Sequence, residues 1–174
     1  MTDAVILDFG CGFGDFYGYL SDCGIELKRY VGIDINPDLI AIAREMHDDV
    51  EFHCPDIMSD NLDLGSIDFV VSSGFFNHAM VDSKDFMETC FVRFDQLAKK
   101  GICCNFLSDK IDPEYFDSNL QYNAPEDILA LAYRFSKNVV LRNDYMPYEF
   151  TVAINKFSRI DTKMTVYEEY KKYV

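Results

Sequence analysis

The sequence predicts one α/β domain, with a mostly parallel sheet covered by helices on both faces and ending in an antiparallel hairpin. Three observations carry this reading. Short β-branched or apolar runs alternate with amphipathic stretches, a glycine-rich turn joins the first run directly to the first amphipathic stretch, and only a short polar stretch separates the last two runs. Alternation implies parallel strands joined by crossover helices that cover both faces, which makes a three-layer α/β/α arrangement.

The first strand candidate, residues 4–9, runs into the glycines, and residues 16–23 follow as an amphipathic helix. The second, residues 30–33, leads to a helix over 37–46 with Pro37 at its first position, where the missing N–H costs nothing. Residues 50–53 and 67–72 form the third and fourth strands. A helix over 84–97 precedes the fifth strand at 102–107, and another over 125–135 precedes the sixth at 139–141. The seventh, at 150–154, follows the polar stretch 142–149, which is too short for a crossover and so predicts a hairpin. Near the end, Thr165 and Glu168 have capping-box spacing, and Tyr167, Tyr170 and Tyr173 form a stripe read as packing, or as a cover for an open side of the site or a partner surface. No repeat or linker divides the chain, so residues 1–174 read as one domain.

Hydrophobic residues make up 49% of the chain, enough for a packed core rather than a disordered segment. The net charge of −14 repels phosphate backbones and anionic headgroups, so neither nucleic acid nor a membrane is expected as a partner. The N-terminus lacks a basic leader and no apolar run is long enough for a membrane helix, which points to a cytosolic, cytoplasmic location. Six cysteines without a CxxC pair read as reduced core thiols, and the three histidines share no ligand spacing, so no metal is expected.

The richest segment is Leu7-Asp8-Phe9-Gly10-Cys11-Gly12-Phe13-Gly14, a strand running into three alternating glycines. Such a loop lets a ligand approach the backbone and offers amide donors near a helix N-terminus. A dinucleotide fingerprint would need a glycine where Asp15 stands, and no phosphate-loop lysine follows. Asp8 would repel a pyrophosphate and welcome a cation. Twenty residues after Gly14 the second strand ends at Asp34, a position from which a carboxylate can accept both hydroxyls of a ribose. After the third strand, Asp56 can accept from an adenine amine, with Ile35 and Ile57 against the ring.

These residues, together with the fourth-strand run 67–72 that ends at Ser72, resemble the class I S-adenosylmethionine-dependent methyltransferases, over residues 4 to about 156. The resemblance implies a Rossmann-like fold with strand order 3-2-1-4-5-7-6. It implies S-adenosyl-L-methionine as cofactor, with S-adenosyl-L-homocysteine as product, held by Asp8, Gly10, Gly12, Gly14, Asp34, Ile35, Asp56, Ile57 and Ser72. Members of the family usually carry N-terminal helices over the cofactor, whereas this chain begins just before its first strand. The expectations that follow are an open site, a truncated chain, or a homodimer or partner chain covering the open cofactor side. The Asn/Asp-Pro-Pro-Tyr/Phe signature of amino-methylating DNA enzymes is absent after the fourth strand, and Cys54-Pro55 reverses the Pro-Cys order of cytosine-C5 enzymes.

Methyl transfer mainly requires positioning of the acceptor and, for a hydroxyl or ammonium, a base near the methyl. The segment Gly74 to His78 leaves the fourth strand toward that point. His78 is the candidate base, by position and by an ordinary pKa of about 6.5, and Asn77 would orient the acceptor. Tyr145, Tyr148 and Glu149 in the hairpin, with Asn105 and Asp109, form a second cluster that reads equally as acceptor pocket or as a structural turn. The leading function is therefore methyl transfer to a small-molecule acceptor, O- or N-directed. A methyltransferase-like accessory subunit that binds a partner without catalysis stays open as the alternative, and a nicotinamide-binding domain is disfavoured by the glycine spacing.

Overall fold

The computed structural model describes residues 2–55, 63–79 and 83–157. Eight strands among these residues form one sheet: β1 (Thr2–Phe9), β2 (Leu27–Ile33), β3 (Glu51–His53), β4 (Ile67–Ser72), β5 (Ala98–Ser108), β6 (Tyr122–Asn123), β7 (Asn138–Arg142) and β8 (Glu149–Asn155). The helices are α1 (Asp15–Asp22), α2 (Pro37–Met46), α3 (Ser83–Leu97) and α4 (Pro125–Ala132).

The order across the sheet is β3-β2-β1-β4-β5-β8-β7, with β6 pairing β5 off this path. Counting the seven main strands in chain order, this is the expected 3-2-1-4-5-7-6 path. β6 is an addition: its two residues, paired in parallel with Leu107 and Ser108, are too few to leave a periodic signal. The first five main strands are parallel, while β8 runs antiparallel to both β5 and β7. The expected C-terminal hairpin is therefore β7–β8. The capping box at Thr165 and the Tyr167, Tyr170 and Tyr173 stripe lie outside the described residues.

Alternation along β1 divides the core between the two sheet faces. Val5, Leu7 and Phe9 join Val31, Ile33 and Val70 against Phe91 and Phe94 of α3 and Ile128 and Leu131 of α4, in a large cluster that continues through Phe106 and Phe150. On the other face Tyr30 and Phe52 meet Leu20 of α1 and Ile40 and Ala43 of α2 in a smaller cluster. The parallel register, with Phe9 beside Ile33 and Asp8 beside Val71, brings the C-terminal tips of β1, β2 and β4 to one edge. A crevice at that edge is where sheets of this kind take their ligands.

Candidate active site

The loop after β1 is tied down rather than left open. The Gly10 and Cys11 amides both donate to the Ile33 carbonyl at the tip of β2, at 2.8 and 3.0 Å. The Gly12 amide donates to Asp34 Oδ2 at 3.1 Å, and the Asn36 amide donates to Asp34 Oδ1 at 2.8 Å. Three amides that the sequence would offer to a ligand are thus spent on fastening β1 to β2. What remains is a backbone surface with a carboxylate at its centre, suited to hydroxyls and positive charge rather than to phosphate.

Two of the glycines hold left-handed backbone at the mouth of the site. At Gly10, φ is 73° and a Cβ would lie 2.7 Å from the ring of Phe75, so the loop and the segment after β4 touch only because no side chain intervenes. At Gly12, φ is 55° and nothing lies within 4 Å of where a Cβ would be, which leaves that face of the backbone open to a ligand. Gly14 precedes α1 as its N-cap and is packed beneath the loop against His47 and Phe52.

Above this loop lies a cavity of about 770 Å³, lined by Phe9, Gly10, Gly12, Ile33, Asp34, Ile35, Leu39, Pro55, Ser73, Gly74, Phe75, His78 and Phe86. Its wall is apolar and aromatic, and among the described residues Asp34 is the sole carboxylate in the lining and neither lysine nor arginine lines it. Of the expected cofactor residues, Gly10, Gly12, Asp34 and Ile35 meet here. Asp56 and Ile57 lie outside the described residues.

Asp8, Ser72 and Gly14 sit just beneath the cavity and do not line it. Asp8 is 2% exposed and accepts a hydrogen bond from the Tyr30 hydroxyl. Burial pushes its carboxyl up to about 6, Tyr30 opposes that shift, and nearby Asp34 adds to it. The hydroxyl of Ser72 donates to the Phe9 carbonyl at 2.9 Å and so stitches β4 to β1. Cys11, buried in the loop, has its thiol pushed up by burial and by Asp8 and Asp34, which leaves it unreactive.

His78 follows a short 3-10 turn, Phe75–Asn77, that begins at Gly74. Its side chain is exposed at the cavity wall, and its backbone bridges Leu120. Asn77 sits behind it, outside the lining, with a buried Oδ1 that has no hydrogen-bond partner. Tyr145 is 45% exposed, its hydroxyl 2.6 Å from Thr151 Oγ1, and it lies in the hairpin rather than on the cavity. Tyr148 is the single non-glycine residue with positive φ among the described residues, and its hydroxyl donates to Asp112.

Sequence reading missed Phe86, which α3 brings to the cavity, and Leu39 from the first turn of α2. Both carry an ordinary helical apolar signal that gives no hint of a ligand.

A family model described as a methyltransferase domain matches residues 6–101. The Mycobacterium tuberculosis protein Rv1506c, named as a methyltransferase, is 30% identical over 162 residues, covering 88% of this chain and 93% of its own. This chain belongs to the methyltransferase-domain family. Among solved structures, a methyltransferase described as S-adenosylmethionine-dependent from Methanosarcina mazei has TM-score 0.69 at 16% identity, covering 90% of this chain and 94% of its own. The magnesium protoporphyrin IX methyltransferase of Synechocystis PCC 6803, crystallised with bound S-adenosylhomocysteine, has TM-score 0.67 at 13% identity, covering 89% and 74%. The small RNA methyltransferase HEN1 has TM-score 0.67 at 16% identity, but the match spans only 24% of that chain. At these identities the structural likeness shows the shared fold. No helix among the described residues is long and apolar enough to cross a membrane.

Proposed function

We propose that this methyltransferase-family chain binds S-adenosylmethionine across the tips of β2, β1 and β4 and transfers its methyl group to a small-molecule acceptor, at oxygen or nitrogen. The observation that carries the reading is the cavity itself. It has a carboxylate at the β2 tip, an open glycine backbone in the middle and no lysine or arginine among its described lining residues. That chemistry suits a nucleoside with a positively charged sulfur and excludes a pyrophosphate.

Asp34 keeps lone pairs for the two ribose hydroxyls while it accepts from Gly12 and Asn36. Ile35, Leu39 and Pro55 supply an apolar wall for the adenine, and Asp56 and Ile57 are assigned to the same end. The bound cofactor supplies an electrophilic methyl on sulfur. His78, at the cavity wall on the β4 side, takes the proton of a hydroxyl or ammonium acceptor. Asn77, with its buried unpartnered oxygen behind the lining, and Tyr145, in the hairpin, are given no contact with the acceptor. The acidic charge of the chain supports a small molecule over a nucleic acid.

Calorimetry should give saturable binding of S-adenosylhomocysteine and none of NAD, with the affinity lowered in Asp34→Ala by about 1.5 to 3 kcal/mol, the worth of hydrogen bonds to a charged group. Unchanged affinity in that variant overturns the assignment. Once an acceptor is found, His78→Ala should lower turnover by roughly 10² to 10⁴. A near-native rate would remove His78 from the chemistry.

A further inference from the structure

The segment that forms the β4 side of the cavity is held in place from outside it. The Gly74 amide donates to Asn105 Oδ1 at 2.7 Å, and Asn105 Nδ2 donates in turn to Glu149 Oε1. Asn105 lies on β5, and Glu149 opens β8, paired with Leu107 of β5. Gly74 is the left-handed residue, φ 76°, from which the turn Phe75–Asn77 starts, and its carbonyl accepts from the Asn77 amide. Both backbone groups of Gly74 are therefore committed, one to the turn and one to Asn105.

We propose that Asn105 and Glu149 are positioning residues of the methyl-donor site, a relay through which the C-terminal hairpin sets the Gly74 turn against the cofactor. The inference rests on the proposed cofactor reading. With the ribose at Asp34 on β2, a ligand crossing β1 toward β4 places its amino-acid tail beside Ser73, Gly74 and Phe75. The relay fixes that end and leaves the adenosine end alone.

The direction of each bond follows from the groups. An ionised carboxylate only accepts, so it orients the Asn105 amide with its nitrogen outward, and the amide oxygen is thereby turned to Gly74. Glu149 thus acts on the turn through Asn105 and touches no reacting atom. It also accounts for a polar pair on the face of β5 opposite Phe106, where neither residue completes the core. Glutamine at 149 would still offer an accepting oxygen, whereas alanine would not.

Three variants test this, Glu149→Ala, Glu149→Gln and Asn105→Ala, each titrated with S-adenosylhomocysteine and with 5′-methylthioadenosine, which lacks the amino-acid tail. The two alanine variants should bind S-adenosylhomocysteine about five- to tenfold more weakly, the worth of one hydrogen bond, and bind methylthioadenosine as the native protein does. Glu149→Gln should restore the native ratio. Equal weakening of both probes, or no weakening of either, overturns the relay.

Hydrogen exchange of the Gly74 amide in the ligand-free protein gives a reading independent of the cofactor. It should be protected in the native chain and in Glu149→Gln, and exchange about tenfold faster in the alanine variants. An unprotected native Gly74 amide overturns the proposal on its own. A protected amide in a protein that binds neither probe would instead locate the failure in the cofactor reading.

Discussion

Asp8 combines two properties that rarely coexist, nearly complete burial and a single hydrogen bond from Tyr30 as its compensation. With its carboxyl pushed up to about 6, the folded state holds the proton more tightly than the unfolded chain, whose aspartates titrate near 3.9. The contribution of Asp8 is therefore most favourable below about pH 4 and is lost as pH rises through 6. Above that the buried charge costs on the order of 3 kcal/mol. Asp8→Asn removes the ionisation and keeps an acceptor for Tyr30. In urea titrations its stability relative to the native chain should rise from near zero at pH 4 by about 1 to 3 kcal/mol at pH 8. A difference that stays flat across that range contradicts a buried, titrating Asp8.

At the scale of elements, the β5–β8 pairing joins the parallel part of the sheet to the hairpin, and Gly101 sets how closely the two strands lie. A Cβ there would come within 2.7 Å of the Ile154 carbonyl oxygen, backbone that cannot step aside, and within 3.4 Å of the Phe69 ring. Gly101→Ala should lower stability by about 1 to 3 kcal/mol, as overpacking does, measured as a lower urea midpoint with an unchanged slope. A native midpoint would mean that the ladder shifts freely.

The elements also explain what the sequence made legible. Apolar-rich runs such as 67–72, and the polar gap at 142–149, carried the sheet path and the hairpin. The start of β5 at Ala98 was hidden because Lys99 and Lys100 interrupt its apolar pattern, although both are exposed and Lys100 pairs with Asp68 at 3.0 Å. At the site, Gly10 and Gly12 were readable from one local motif, and Asp34 from its place at the tip of the next parallel strand. Contacts such as Gly74 with Asn105, 31 residues apart, leave no trace in spacing and exist only once β4 and β5 are side by side. The burial of Asp8 was equally hidden, since an acidic residue at a strand end reads as exposed until Tyr30 is seen beside it.

Across the whole molecule, the two faces of the sheet are supported unequally. The glycine loop reaches the smaller cluster of Leu20, Tyr30, Ile40, Ala43 and Phe52 through Cys11 and Gly14, while α3 and α4 press a far larger apolar body against the other face, and Phe9 and Ile33 of that body line the cavity. Local opening should therefore come more readily to the α1–α2 half, and a ligand resting on both the glycine loop and the Phe9 and Ile33 wall ties that half to the larger body. Amides of α1 and α2 should exchange faster than those of β5 and β8 in the free protein. Saturating S-adenosylhomocysteine should slow the α1–α2 amides by about a hundredfold at a hundred times the dissociation constant, because a site that closes only in the folded half gains stability by mass action. Uniform protection of both halves would mean that they open as one. If the halves do separate, the cofactor is a keystone as well as a reagent, and cellular supply of the methyl donor sets how long the exposed half of the chain survives proteolysis.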